Sequence, residues 1–115
     1  MIEIQIRTSG SITVMAPTGD LTSDLGMQLM SAVADLVQKG HKNIVLDLSG
    51  VRHINSSGIG SLVSAFTKVS NSGGRIVLTG LGKTTRDLLS VTKLMTVFEA
   101  TDSLDDAMTL LSSTP

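Results

Sequence analysis

The stretch that decides the fold is Asp47-Leu-Ser-Gly-Val-Arg-His-Ile-Asn-Ser-Ser-Gly-Ile-Gly-Ser-Leu62. Residues 43–48, which lead into this stretch, form a short apolar run that is typical of an interior strand. Beyond its serines, apolar residues recur at helical spacing from Ile59 to Val69. The stretch therefore predicts a buried strand joined to a helix by a loop whose polar residues gather at the helix start.

The junction between this strand and this helix carries Asn55, Ser56 and Ser57. Asn and Ser oxygens accept hydrogen bonds from the first amide groups of a helix, which have no partner inside the helix. The same amide groups and the helix dipole favour an anionic group, including a phosphate. Ser56 is therefore a chemically reasonable site of phosphorylation, with Ser57 as the substitute site. The alternative is that Ser56 serves only as a cap.

Composition limits the classes of function. A chain of 115 residues suffices for one domain and not for two, so we expect a single domain over residues 1–115. A net charge of -1 and an aromatic content limited to Phe66 and Phe98 argue against nucleic acid as a partner. The chain has no Cys, and neither His41 nor His53 has a companion at ligand spacing, so we expect no metal, cofactor or catalytic residue.

The first seven residues alternate apolar and polar side chains. This pattern is typical of a strand, and it matches neither a signal peptide nor a spanning helix. No later apolar run approaches membrane length. We therefore expect a cytoplasmic protein without membrane insertion.

The remaining patterns predict an α/β fold. Residues 2–8 and a second alternating run, from Ile12 to Ala16, most simply form an antiparallel hairpin, and Pro17 would interrupt a central strand. Strands alternating with helices after such a hairpin give a mixed sheet with a parallel portion, about four to five strands and four helices. The further strands are predicted at 44–48, 75–79 and 96–99, and the helices at 24–38, 57–70, 84–91 and from 102–106 onward.

The stretch 47–62 resembles the signature of the STAS domain, which sulphate transporters share with bacterial anti-sigma factor antagonists. The antagonist pattern is approximately Asp-Leu-Ser, one residue, Val, two residues, an aliphatic, Asp-Ser-Ser or Asp-Ser-Thr, Gly, an aliphatic, Gly, and Leu two places on. This chain matches throughout except at Asn55, where antagonists usually carry Asp. Gly19-Asp20-Leu21 resembles the family's Gly-Glu-Leu, and Thr22 follows where many antagonists have Asp.

The resemblance implies a binding protein and not an enzyme. In the family, an antagonist captures an anti-sigma factor that has a kinase fold, which frees a sigma factor for transcription. Phosphorylation of the Ser after the motif's Asp, here Ser56, switches the antagonist off. By this resemblance we expect a monomer or weak homodimer whose partner-binding residues are Thr22, Arg52, His53, Asn55, Ser56, Ser57, Gly58, Ile59 and Gly60.

Several of these residues also fit a purely structural role. Arg52 and His53 fit a solvated loop, and Ile59 lies in register with the apolar face of the predicted helix. Gly58 and Gly60 are poor helix formers, so either a partner or the sheet approaches the helix closely there.

Two other functions compete with an antagonist. One is a structural STAS subunit that is not phosphorylated, such as the accessory protein of a lipid-transport ATPase. The other is a small nucleotide-dependent enzyme, because Gly80-Leu-Gly-Lys-Thr84 resembles part of a phosphate-binding loop. Val77 occupies the position where the first glycine of such a loop belongs, so Lys83 is expected in an exposed loop before the third helix.

Overall fold

The computed structural model describes residues 3–112. The first two residues, which include the predicted start of the first strand, and the last three lie outside this range. The strands are β1 (Glu3–Ser9), β2 (Ile12–Leu21), β3 (Asn43–Asp47), β4 (Val51–Ile54), β5 (Arg75–Thr79) and β6 (Glu99–Thr101). The helices are α1 (Ser23–Gln38), α2 (Ser56–Asn71), α3 (Lys83–Val91), a 3-10 helix (Leu94–Thr96) and α4 (Leu104–Ser112).

The strands form one mixed sheet in the order β1-β2-β3-β5-β6, and β4 pairs with the end of β2. β1 and β2 form the predicted antiparallel hairpin, whereas every other pairing is parallel. The predicted α/β fold and its four helices are therefore confirmed, with β4 bringing the sheet to six strands.

Helices cover both faces of the sheet. In β3, Ile44 and Leu46 join the larger core cluster with α1, α2 and α3, while Val45 joins the smaller cluster with α4. Successive strand residues point to opposite faces, so a strand that is covered on both sides is apolar without interruption. This arrangement explains the continuous apolar runs of β3 and β5.

The hairpin differs from its sequence-based prediction in the length of its second strand. β2 does not stop at Pro17 but continues to Leu21. Pro17 lies between Met15, the last residue paired with β3, and Gly19, the first paired with β4, so the missing N–H falls where the partner strand changes. On β1, Ile6 is 47% exposed, because this strand lies at the edge of the sheet.

The last strand also lies later than predicted. Residues 96–99 were expected to form it, but the 3-10 helix occupies Leu94–Thr96 and β6 begins at Glu99. Lys93, in the left-handed region with φ 63°, precedes this short helix. Phe98 then packs edge to face against Phe66 of α2, with ring centroids 5.6 Å apart. Within residues 3–112, the helices are all too short or too polar to cross a bilayer.

Candidate functional site

The centre of the candidate site is the N-terminus of α2. Asn55 is the N-cap in an extended conformation, and its side-chain oxygen accepts a hydrogen bond from the Gly58 N–H at 2.9 Å. Ser56 is the first helical residue. The predicted helix start is thus present, although β4 occupies most of the predicted loop before it. Asn55, rather than either serine, provides the cap.

The two serines at this helix start are exposed. Of the first amide groups of α2, that of Asn55 donates to the Leu21 carbonyl oxygen at 3.4 Å, and that of Gly58 donates to the Asn55 side chain. Within residues 3–112, the N–H groups of Ser56 and Ser57 have no hydrogen-bond acceptor. Such unpaired N–H groups at a helix N-terminus favour an anion, and the first turn of α2 contains no acidic side chain.

Gly58 fixes this helix start against the end of β2. A Cβ atom on Gly58 would overlap the Leu21 carbonyl oxygen and lie 2.9 Å from Ile54 Cγ1. The close backbone approach at this glycine is therefore made within the chain. Gly60 is different, because a Cβ atom there would meet nothing within 4 Å and the residue is exposed. Of the two glycines, Gly60 is thus the one whose surroundings leave room for a partner.

Thr22 lies beside the same helix start. It directly follows Leu21, which pairs with Ile54 and accepts the hydrogen bond from Asn55. Thr22 is the N-cap of α1 and is half-buried, but its side chain makes no capping hydrogen bond. The structure therefore brings Thr22 together with Asn55, as two cap residues at adjacent helix starts.

Arg52 and His53 are not in a loop, as the sequence had indicated, but in β4. β4 pairs in parallel with β2, and the register shifts between the Gly19–Val51 and Leu21–Ile54 pairs. Both side chains are exposed. Their polarity hides the strand in the sequence, because only the flanking Val51 and Ile54 turn toward the core cluster.

Ile59 has a mixed environment. It is half-buried and packs against the main core cluster, so the helical register correctly predicted contact with the core. It is not fully buried, and its neighbours in the sequence include the exposed Ser57 and Gly60.

Asp47, the first residue of the stretch 47–62, stabilises a turn. The Asp47 side chain accepts a hydrogen bond from the Ser49 N–H at 3.0 Å, and a Cβ atom on Gly80, whose φ is +70°, would lie 2.7 Å from Asp47 Oδ1. Sequence reasoning did not assign this role. The signal was the Asp-x-Ser spacing, since Asp side chains often accept hydrogen bonds from the backbone two residues on.

Lys83, the residue that suggested nucleotide chemistry, begins α3. Its ammonium group lies 3.2 Å from the Asp87 carboxylate, one helical turn later, and both side chains are largely exposed. Gly82 is the N-cap of this helix and has no side chain to cap it. Lys83 was expected in a loop before this helix, so α3 begins one residue earlier than the sequence had indicated.

Fold and site together define a small mixed-sheet α/β domain that presents an exposed serine at a capped helix start. A family model described as the STAS domain matches residues 3–107, and the chain belongs to this family. Its similarity within the family is to anti-sigma factor antagonists, which confirms the resemblance read from residues 47–62.

Three comparisons illustrate this similarity. A Thermotoga maritima protein, proposed to be an anti-sigma factor antagonist, is 28% identical over 98 residues, which cover 84% of this chain and 87% of that protein. The crystal structure of an anti-sigma factor antagonist from Mycobacterium paratuberculosis gives a TM-score of 0.88 at 24% identity, covering 98% of this chain and 96% of that one. The phosphorylated form of the Bacillus cell fate determinant SpoIIAA gives a TM-score of 0.74 at 16% identity, covering 95% and 99%.

Proposed function

We propose that this protein is a cytoplasmic, non-enzymatic anti-sigma factor antagonist that binds an anti-sigma factor with a kinase fold and is released when Ser56 is phosphorylated. One observation carries the proposal. Ser56 is exposed at the first position of α2, beside the Asn55 cap, within the motif whose serine is modified in the family. Such a protein would regulate transcription by partner switching.

The local electrostatics favour a switch that leaves the fold intact. A phosphoserine adds roughly -1.5 to -2 charge and three strong acceptor oxygens. The unpaired N–H groups of Ser56 and Ser57 and the positive end of the helix dipole stabilise that charge at this place. Because the first turn of α2 has no acidic side chain, no neighbouring carboxylate there opposes the phosphate.

The same phosphate would disfavour the binding of a partner that packs over the start of α2. The partner would have to desolvate a bulky dianion at the centre of the contact or leave a gap around it. A loss of about 4 kcal/mol at the interface lowers affinity about a thousandfold, which suffices for an on-off switch. We therefore expect phosphorylation to block docking without unfolding the antagonist.

The relatives support this proposal by their chemistry. SpoIIAA, which shares the fold at 15–16% identity, has a structure in a phosphorylated form and another in an unphosphorylated form. The same two states are proposed here for this chain at Ser56.

The exposed and half-buried residues around Ser56 define the proposed docking surface, which combines the helix start, the α1 cap and β4. Asn55 distinguishes it from the usual family pattern, because the amide retains the capping hydrogen bond without a carboxylate charge. A partner that pairs a basic side chain with that carboxylate would bind this chain less tightly. The proposed docking surface consists of Thr22, Arg52, His53, Asn55, Ser56, Ser57, Ile59 and Gly60.

Phosphorylation is tested with kinase-fold anti-sigma factors encoded near the gene. Each is incubated with the protein and ATP, and phosphate is located by mass spectrometry. We expect phosphate on Ser56, its loss in Ser56→Ala and its retention in Ser57→Ala, the matched control one residue away. Phosphate on another residue only, or none with any of these kinases, would contradict the proposal.

Docking is tested separately by titration against the partner that phosphorylates the chain. Ser56→Asp should weaken binding at least tenfold, because even one carboxylate places charge at the helix start. Ser64→Asp is the control, since Ser64 is an exposed serine of the same helix outside the proposed docking surface. Unchanged binding by Ser56→Asp would instead fit a structural STAS subunit, as in a lipid-transport ATPase, that docks through another face.

A further inference from the structure

The outer edge of the sheet is formed by β1, which is long and exposed. β1 pairs with β2 on one side, and within residues 3–112 no strand pairs with its other side. Most of its side chains are exposed, including the apolar Ile6 at 47%. A strand with an unpaired edge presents a row of backbone donors and acceptors to any strand of suitable sequence.

The sequence of β1 is complementary to itself when two copies run antiparallel. A two-fold axis at Gln5 places Glu3 opposite Arg7 of the second copy, and Ile4 opposite Ile6 of the second copy. By symmetry, each of these contacts occurs twice. We propose that β1 is a homodimerisation edge, at which a second copy of this chain adds its own β1 antiparallel with the two Gln5 residues facing one another.

The charges of Glu3 and Arg7 favour this antiparallel register of two β1 strands. Among the described residues, Glu3 and Arg7 have no ion-pair partner within their own chain. Directly opposite side chains in an antiparallel pair have Cβ atoms about 4.5–5.5 Å apart, where unlike charges attract and like charges repel. A parallel arrangement in register would instead place each of these charges against its own kind.

The apolar side chains support the same register. Ile4 packs against the main core cluster, and Ile6 follows on the same face of the strand, so the dimer would continue that apolar face into the second copy. A shift of one residue would place isoleucines opposite polar side chains on the wrong face. A shift of two residues would keep the face but separate Glu3 from Arg7.

This edge is separate from the proposed phosphorylation site. β1 pairs with residues 12–18 of β2, whereas β4, which leads to Ser56, pairs with Gly19 and Leu21. Five facing residues on each side make a contact smaller than a standard stable interface. The association is therefore weak, with a dissociation constant on the order of 100 μM.

Charge exchange tests the register. Sedimentation equilibrium at low salt, from about 10 μM to 1 mM, should detect the dimer. Arg7→Glu and Glu3→Arg should each weaken association about tenfold, because both symmetric ion pairs become repulsive. The double variant should restore the original dissociation constant to within about threefold. Lys68→Glu, on α2, makes the same change in net charge as Arg7→Glu and should leave association unchanged.

A single thiol tests the axis, because the chain contains no Cys. Facing Cα atoms in an antiparallel pair are about 4.5–5.5 Å apart, which a disulfide can span, so Gln5→Cys should cross-link rapidly on oxidation. Ser9→Cys, on the same strand, would lie about 27 Å from its copy and should not. A monomer throughout the concentration range, or equal cross-linking by the two thiols, would overturn the proposal. Glu3 and Arg7 would then be charges that protect the strand edge from pairing with other chains.

Discussion

Gly26 of α1 lies directly against Ser61 of α2, so closely that a Cβ atom on Gly26 would overlap Ser61 Oγ. The Ser61 hydroxyl donates to the Ser57 carbonyl oxygen at 3.1 Å and is thereby directed back along its own helix. The absence of a side chain at Gly26 therefore lets α1 and α2 approach closely. Since α1 begins just after Thr22 and α2 at Ser56, this contact also holds the two halves of the proposed docking surface together.

We expect Gly26→Ala to lower the free energy of unfolding by about 1–2 kcal/mol, because the added methyl displaces the Ser61 hydroxyl and breaks its hydrogen bond. The same change in a Ser61→Ala background should be less damaging, since the overlapping oxygen is absent. Urea unfolding of the four chains in this cycle measures the coupling. Strictly additive effects would show that the contact does not set the helix separation.

The two glycines at the start of α2 should respond in opposite directions to the same substitution. Gly58→Ala should lower the free energy of unfolding by roughly 2 kcal/mol or more, because the new Cβ would overlap the Leu21 carbonyl oxygen. Gly60→Ala should raise it by about 0.5–1 kcal/mol, since its Cβ meets nothing and alanine favours the helix. Chemical unfolding of both variants distinguishes these roles, and a loss of stability in Gly60→Ala would contradict the assignment.

The Asn55 cap gives a third prediction. Asn55→Ala removes the acceptor of the Gly58 N–H and should lower the free energy of unfolding by about 1 kcal/mol. Asn55→Asp retains the acceptor and adds negative charge at the positive end of the helix, so stability should rise by about 0.3–1 kcal/mol. This gain should shrink in high salt, which thermal unfolding at two ionic strengths can measure. A gain in stability that does not depend on salt would contradict an origin in the helix dipole.

The ion pair between Arg75 and Glu99 joins β5 to β6 at the far end of the sheet from Ser56. Arg75 Nε lies 2.6 Å from Glu99 Oε2, and Arg75 Nη2 lies 2.9 Å from Glu99 Oε1. The hydrogen bond to Glu99 is the main cause that raises the pKa of Arg75 above its already high ordinary value. A raised pKa on a cation means that its stabilising effect is complete below the ordinary value and is lost only in strong alkali.

We therefore expect Glu99→Gln to lower the free energy of unfolding by less than about 1 kcal/mol, because both side chains are partly exposed and solvent screens the pair. The difference from wild type should stay constant between pH 7 and pH 9, where Arg75 remains charged. Unfolding curves measured across this pH range test whether the difference in the free energy of unfolding stays constant. A difference that grows or vanishes within the range would mean that another titrating group controls this contact.

The sequence predicted the parts of this fold that depend on regular periodicity. The apolar runs of β3 and β5 and the helical spacing after Ile59 each correspond to an observed element. β4 was missed because Arg52 and His53 face solvent and the strand exists only through pairing with distant residues of β2. A four-residue segment of this composition has no local signal that separates it from a loop.

The position of the helix start was predicted from the sequence, whereas the role of Ser56 there stays a prediction. Capping chemistry located the helix start, and the family motif selected Ser56 within it. The different surroundings of Gly58 and Gly60 could not be read from the sequence, because both glycines fit a close contact equally well. Gly26 was not singled out for the same physical reason, since its contact with Ser61 joins residues that are far apart in the chain.

The turn held by Asp47 has an evolutionary consequence. Its carboxylate accepts the hydrogen bond from the Ser49 N–H, and Gly80 lies close beside it, so Asp47 stabilises the fold and is separate from the modification proposed at Ser56. A descendant could therefore exchange Ser56 for an inert residue and still inherit the same scaffold. The residue that marks the family fold and the residue proposed to carry regulation are different residues of one short segment, so selection can act on each alone.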